Sequence, residues 1–133
     1  MADAESIVRS FFGLLERGEA ETAVALLHDD IEWRNTGLPT VRGRRVAGML
    51  RDMEKRRVQF SAEFHHVAAD GDVVLTDRTD LLRIGRWETT FWVRGTLEVV
   101  DGKIRLWDDA FSWGDFTRGS LMGLVRAVRP RSS

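Results

Sequence analysis

The chain has 133 residues, which suits a single domain over 1–133 that buries roughly two-thirds of its unfolded surface. With 20 Lys and Arg against 21 Asp and Glu, the net charge is −1 and the pI about 6.3, which argues against nucleic-acid or membrane-surface partners. There is no cysteine, which excludes disulfides, thiolate nucleophiles and thiolate metal sites, and there is no tyrosine.

At the N-terminus, Asp3 and Glu5 stand where a signal peptide would be positive. No stretch approaches the ~20 apolar residues that cross a membrane, so a cytoplasmic protein is expected. Ile7, Phe11, Leu14 and Leu15 fall at i, i+4, i+7 and i+8, one face of a helix that Asp3 can cap and Gly18 can end. A second short helix is predicted over 21–27. A short strand over 31–35 follows, with Ile31, Trp33 and Asn35 on one face and Glu32 and Arg34 on the other. Thr36-Gly37-Leu38-Pro39 breaks it. A third helix is predicted over 44–56, with Val46, Met49, Leu50 and Met53 on one stripe. Met49 and Met53 read as core rather than as ligands.

From Val58 the pattern changes to strands, over 58–69, 73–84, 87–100 and 103–113. Asp70-Gly71 and Asp101-Gly102 join neighbouring runs as hairpin turns, and Gly85 marks the turn between them. A last helix over 115–128 carries Leu121, Leu124, Val125 and Val128 on one face. Arg126, Arg129 and Arg131 make the C-terminal end basic, as a solvated tail. Helices followed by an antiparallel meander predict an α+β domain. The helices cover one face of a curved sheet and leave a conical cavity.

The strands carry charge where apolar residues are expected. Thr76, Arg78, Asp80 and Leu82 share one face of the 73–84 run, and Arg105, Trp107, Asp109, Phe111 and Trp113 share one face of the 103–113 run. Phe91, Val93, Gly95 and Leu97 share a face between them. Burying a guanidinium or a carboxylate costs several kcal/mol per ion unless it is paired. An arginine between two carboxyls holds each by charge-assisted hydrogen bonds, and the carboxyls can share one proton, one acting as acid and the other as base. The pattern alone fits a buried brace equally well. Asn35, beside Trp33, can hold a water or a polar substrate atom. Leu82, Phe91, Val93, Phe111, Phe116 and Leu124 are expected to line an apolar pocket. His28, His65 and His66 form no metal set, since adjacent His65 and His66 should point to opposite faces.

The stretch Leu75-Thr76-Asp77-Arg78-Thr79-Asp80, followed by Asp101-Gly102-Lys103-Ile104 and Leu106-Trp107-Asp108-Asp109, resembles the limonene-1,2-epoxide hydrolase family. Glu32-Trp33-Arg34-Asn35-Thr36-Gly37 sits where that family has its water-binding strand. The resemblance runs from about residue 5 to 130 and is strongest to the actinobacterial branch acting on larger, lipid-like epoxides. It implies the cone-shaped fold of nuclear transport factor 2, a cystatin-like α+β barrel, as a homodimer. It also implies one-step epoxide opening by water, with no metal, no cofactor and no covalent intermediate. By matching positions, Asp80 is the general acid, Asp109 the base that activates water, and Arg78 the bridge between them; Asn35 helps to hold the water. Two positions depart from the family pattern. Trp33 stands where a tyrosine is usual, and its indole N–H can donate to the water but cannot accept from it. Asp108-Asp109-Ala110-Phe111 replaces the usual arginine, aspartate, tyrosine, phenylalanine.

The expected partners are therefore a small hydrophobic epoxide and water. Two other classes fit the same fold: a biosynthetic cyclase or isomerase, and a non-catalytic carrier of hydrophobic ligands in which the ion trio is a brace. An isomerase with a tyrosine oxyanion hole conflicts with the absence of tyrosine.

Overall fold

In the computed structural model, which describes residues 3–128, α1 (Ala4–Glu16) opens the chain. The Asp3 carboxylate accepts from Ser6 N at 2.8 Å, which caps the helix as its spacing predicts. Ile7, Val8, Phe11 and Phe12 are buried, so the apolar face of α1 is broader than the one-stripe reading. Two short segments follow, α2 (Ala20–Val24) and β1 (Leu27–Asn35). The second predicted helix thus stops three residues early, and the strand begins four residues early, with a register irregularity between Leu27 and Glu32. After β2 (Val41–Arg42), α3 (Arg44–Lys55) buries Val46 and Leu50.

The meander is β3 (Gln59–Asp70), β4 (Val73–Ile84), β5 (Trp87–Val100) and β6 (Lys103–Phe111). All its pairings are antiparallel and follow the predicted hairpins. The six strands run in the order β2-β1-β6-β5-β4-β3. One pairing is parallel: β1 lies beside β6 and sets Trp33 opposite Trp107 and Asn35 opposite Asp109. Local pattern gives no access to this pairing, since its partners are more than seventy residues apart. The curved α+β architecture expected from the sequence is present, with this one parallel edge. The core lies between α1 and the sheet, where Phe11 and Phe12 meet Trp107 edge-on and Phe12 meets Phe64.

Three sequence expectations are corrected here. The last strand ends at Phe111, and α4 (Trp113–Val128) starts at Trp113, which therefore belongs to the helix. At its N-terminus the strand face also ends short, since Arg105 is solvent-exposed. Leu124 does not line the pocket: it is 52% exposed. The side of α4 that meets the sheet is made by glycines. A Cβ on Gly119 would lie 2.6 Å from Thr89 Oγ1, and one on Gly123 would lie 1.7 Å from Glu88 O. Close approach through these glycines turns the Leu121, Leu124, Val125 and Val128 face away from the cavity. Arg126 is exposed, as expected, whereas Arg129 and Arg131 lie outside the described residues. Among the described residues no helix is long and apolar enough to cross a membrane.

Candidate active site

The site is centred on Arg78, which has no solvent exposure. Alternation along β4 turns Thr76, Arg78 and Asp80 inward, and all three are buried. Arg78 Nε donates to Asp80 Oδ1 at 2.8 Å and Nη2 to Asp80 Oδ2 at 3.1 Å. Nη2 also donates to Asp109 Oδ2 at 2.6 Å, across β5. Nη1 donates to Thr76 Oγ1 at 3.0 Å. The Phe12 ring of α1 covers the guanidinium, with Cζ 4.6 Å from the ring centroid. The three charged residues thus form one connected array.

Asp109 is held from a second side, because Trp107 Nε1 donates to its Oδ2 at 2.9 Å. Trp107 in turn stacks on Trp33, with ring centroids 4.2 Å apart and planes 10° from parallel. The parallel pairing of β1 with β6 sets Trp33 beside Trp107 and Asn35 beside Asp109, and these residues line one cavity with Asp80. Two buried polar atoms there have no hydrogen-bond partner among the described residues, Asp109 Oδ1 and Trp33 Nε1. Asp108 lies opposite Thr96 and Arg34, half-buried on the other face of β6.

Burial sets the electrostatics. Removal from water pushes the Asp109 carboxyl up from its ordinary 3.8 to about 6, against the pull of the Arg78 charge. The negative charge of Asp80 pushes the same way, and the Trp107 hydrogen bond pulls back. Burial also raises Asp80, opposed by Arg78. Arg78 itself is raised by the two carboxylates, which outweigh its burial. Two carboxylates around one cation leave a net negative charge out of water, so the pair favours holding one proton between them.

The cavity measures about 830 Å³. Leu82, Phe91, Val93, Phe111 and Phe116 line it. The sequence reading missed a second set of walls, Leu15, Met49, Leu50, Met53 and Phe60, from α1, α3 and β3. It also missed Thr76, Trp107 and Phe12 as partners of the array. The i, i+2 spacing of Thr76 with Arg78 and of Trp107 with Asp109 was the available signal. A bulge between Phe64 and His66 turns both His65 and His66 to the outer surface, in place of the opposite faces expected. There His65 Nε2 hydrogen-bonds with Thr79 Oγ1 and His66 Nδ1 with Asp77. Among the described residues no three His, Asp or Glu side chains converge as a metal site.

Comparison with known proteins agrees with the curved α+β fold. The sequence model described as the limonene-1,2-epoxide hydrolase catalytic domain matches residues 2–121. The chain belongs to that family and is an epoxide hydrolase. It is 44% identical over 124 residues to epoxide hydrolase EphG of Mycobacterium tuberculosis, covering 92% of this chain and 83% of the relative. The solved structure of an M. tuberculosis epoxide hydrolase of this family superposes with a TM-score of 0.85 at 44% identity, over 90% of each chain. The epoxide hydrolase/cyclase-like enzyme SalBIII shares the fold at a TM-score of 0.74, with 16% identity over 84% of this chain and 92% of that one. The fold is that of nuclear transport factor 2.

The raised carboxyl predicts a pH-dependent stability. The folded pKa of Asp109 lies above its unfolded value, so the folded state binds the proton more tightly and stability falls as pH rises from about 3.8 through about 6. A rise of that size corresponds to roughly 3 kcal/mol, as an order of magnitude. D109N lacks this penalty. In denaturant unfolding, D109N should therefore gain on the wild type from about pH 4 to about pH 6 and keep that gain above it; a difference independent of pH across that window would contradict the buried, raised carboxyl.

Proposed function

We propose that the Asp80–Arg78–Asp109 array hydrolyses a hydrophobic epoxide to a vicinal diol in one step. In the reactive form Asp80 carries the proton and Asp109 the charge. Arg78 and Trp107 both donate to Asp109 Oδ2 and hold the carboxylate plane. Asp109 takes a proton from water as the water oxygen bonds to an epoxide carbon. The carbon–oxygen bond breaks, its electron pair stays on the ring oxygen, and Asp80 donates its proton there. Transfer of the new proton from Asp109 back to Asp80 restores the starting state, and epoxide plus water have become diol. Arg78 holds both carboxyls through the cycle without exchanging its own protons.

The observation that carries this reading is the unpartnered pair, Asp109 Oδ1 and Trp33 Nε1. Asp109 Oδ1 lacks a donor and Trp33 Nε1 lacks an acceptor, and an attacking water would donate to the carboxylate oxygen. Asn35, opposite Asp109 on β1, supplies a further polar contact. Trp33 replaces the hydroxyl of a tyrosine with a pure donor, and its stack on Trp107 fixes that donor's direction. The aromatic wall of Phe91, Phe111 and Phe116 and the two methionines opposite suit a large apolar substrate rather than a polar one.

General acid and general base contributions are each typically ~10²–10⁴-fold. D80N and D109N should each lose at least the lower of these in kcat while remaining folded by circular dichroism. Wild-type turnover in either variant would rule the assignment out.

We also infer that the protein assembles as a homodimer. Leu121, Met122, Leu124, Val125 and Val128 are each more than half exposed on one helix, and Trp92 and Leu75 are exposed on the outer sheet face. Large apolar side chains left exposed together on one helix suit an association site. Analytical ultracentrifugation should give about twice the 15.2 kDa chain mass, and L124R should reduce it to one; a monomeric wild type at micromolar concentration would refute this.

A further inference from the structure

We infer that Thr76 and Gly95 form a seat that fixes how the Arg78 guanidinium is divided between Asp80 and Asp109, and are thereby positioning residues for the reaction. The inference rests on the catalytic reading above. Neither residue touches the reacting atoms; both act through Arg78.

The register places Thr76, Gly95 and Asp109 in one row across β4, β5 and β6. Asp80 lies on β4, and Asp109 lies two strands away. Arg78 must therefore reach over β5 to bridge them. Along the inward face of β5, Phe91, Val93, Leu97 and Val99 all carry apolar side chains, and Gly95 alone has none. A Cβ at Gly95 would lie 2.5 Å from Arg78 Nη1 and 2.8 Å from both Asp109 Oδ1 and Thr76 Oγ1. The guanidinium and the base carboxylate thus rest directly on the bare backbone of β5. Any side chain there would wedge between the bridge and the base.

Thr76 completes the seat. Its hydroxyl has one proton, and that proton is directed to Gly95 O at 3.3 Å. A lone pair is left facing Arg78 Nη1 at 3.0 Å, so the hydroxyl can only accept from the guanidinium. With Nη1 tied to Thr76, Nε to Asp80 and the ring of Phe12 above, only Nη2 is free to span the two carboxyls. Valine at position 76 keeps the shape but leaves a buried N–H without an acceptor. The guanidinium is then free to turn toward one carboxyl at the other's expense. That changes which oxygen the proton favours, and a misplacement of about 1 Å at a reacting group costs about 10²-fold in rate.

The test compares T76V, T76S and G95A with the wild type by two readouts. One is kcat and KM on a hydrolysed epoxide. The other is the titration of the two buried carboxyls, followed by NMR of aspartate-γ-13C-labelled protein, which needs no turnover. T76V and G95A should lower kcat about 10²-fold with KM little changed, and should shift both buried titrations. T76S, which keeps the hydroxyl, should recover both readouts. If T76V is folded, merely less thermostable, and has wild-type kcat and wild-type titrations, the seat is refuted. T76S failing as badly as T76V would refute it too. Should G95A not fold, the T76V and T76S pair decides alone. If no epoxide is turned over by the wild type yet the titrations shift as stated, the catalytic reading falls and the seat stands.

Discussion

The structure depends on how a fully buried guanidinium is matched. Arg78 has no contact with solvent and lies beneath the Phe12 ring. A buried charge is tolerable only when paired and hydrogen-bonded on all sides. One carboxylate would neutralise it; the fold supplies two. The second carboxylate turns a closed ion pair into a group with a net negative charge, and the proposed chemistry rests on it. The same desolvation that makes the array costly raises both carboxyls toward neutrality.

The fold provides the array with two different surroundings. Asp80 sits on β4 among the residues of the apolar wall. Asp109 sits on β6 between Trp107, Asn35 and Trp33, the polar side of the cavity. The parallel edge formed by β1 creates that second environment. Without it, Asp109 would lack Asn35 and Trp33 as neighbours and keep only Arg78 and the Trp107 N–H. The different surroundings of two chemically identical carboxyls thus come from strand order rather than from the residues themselves.

Much of this is legible in the sequence. Alternation places Arg78 with Asp80 and Asp109 with Trp107 and Phe111, and the turn signals give the meander that aligns them. The cap at Asp3, α3 and the positions of the long strands also follow from local pattern. What is not legible involves contacts between distant segments. The β1–β6 pairing joins residues far apart in the chain, so Trp33 can be placed on a face but not against Trp107. The bulge before His66 changes a face that strict alternation would assign. Leu124 differs from expectation for a related reason. Its apolar stripe is amphipathic, but glycines at 119 and 123, rather than leucines, make the packed side of α4. Helical periodicity takes the larger apolar residues to mark the buried face, and here close backbone approach reverses that rule. The cavity walls from α1 and α3 require knowing where those helices fold back.

The central claim is that water attacks the epoxide directly while both carboxyls remain uncombined. Single-turnover hydrolysis in 18O-labelled water, with enzyme in excess over an epoxide substrate, tests it most directly. Direct attack places the label in the diol on the first turnover. An unlabelled first-turnover diol, with 18O appearing in an aspartate carboxylate of the enzyme, would mean a covalent ester intermediate and would contradict the account.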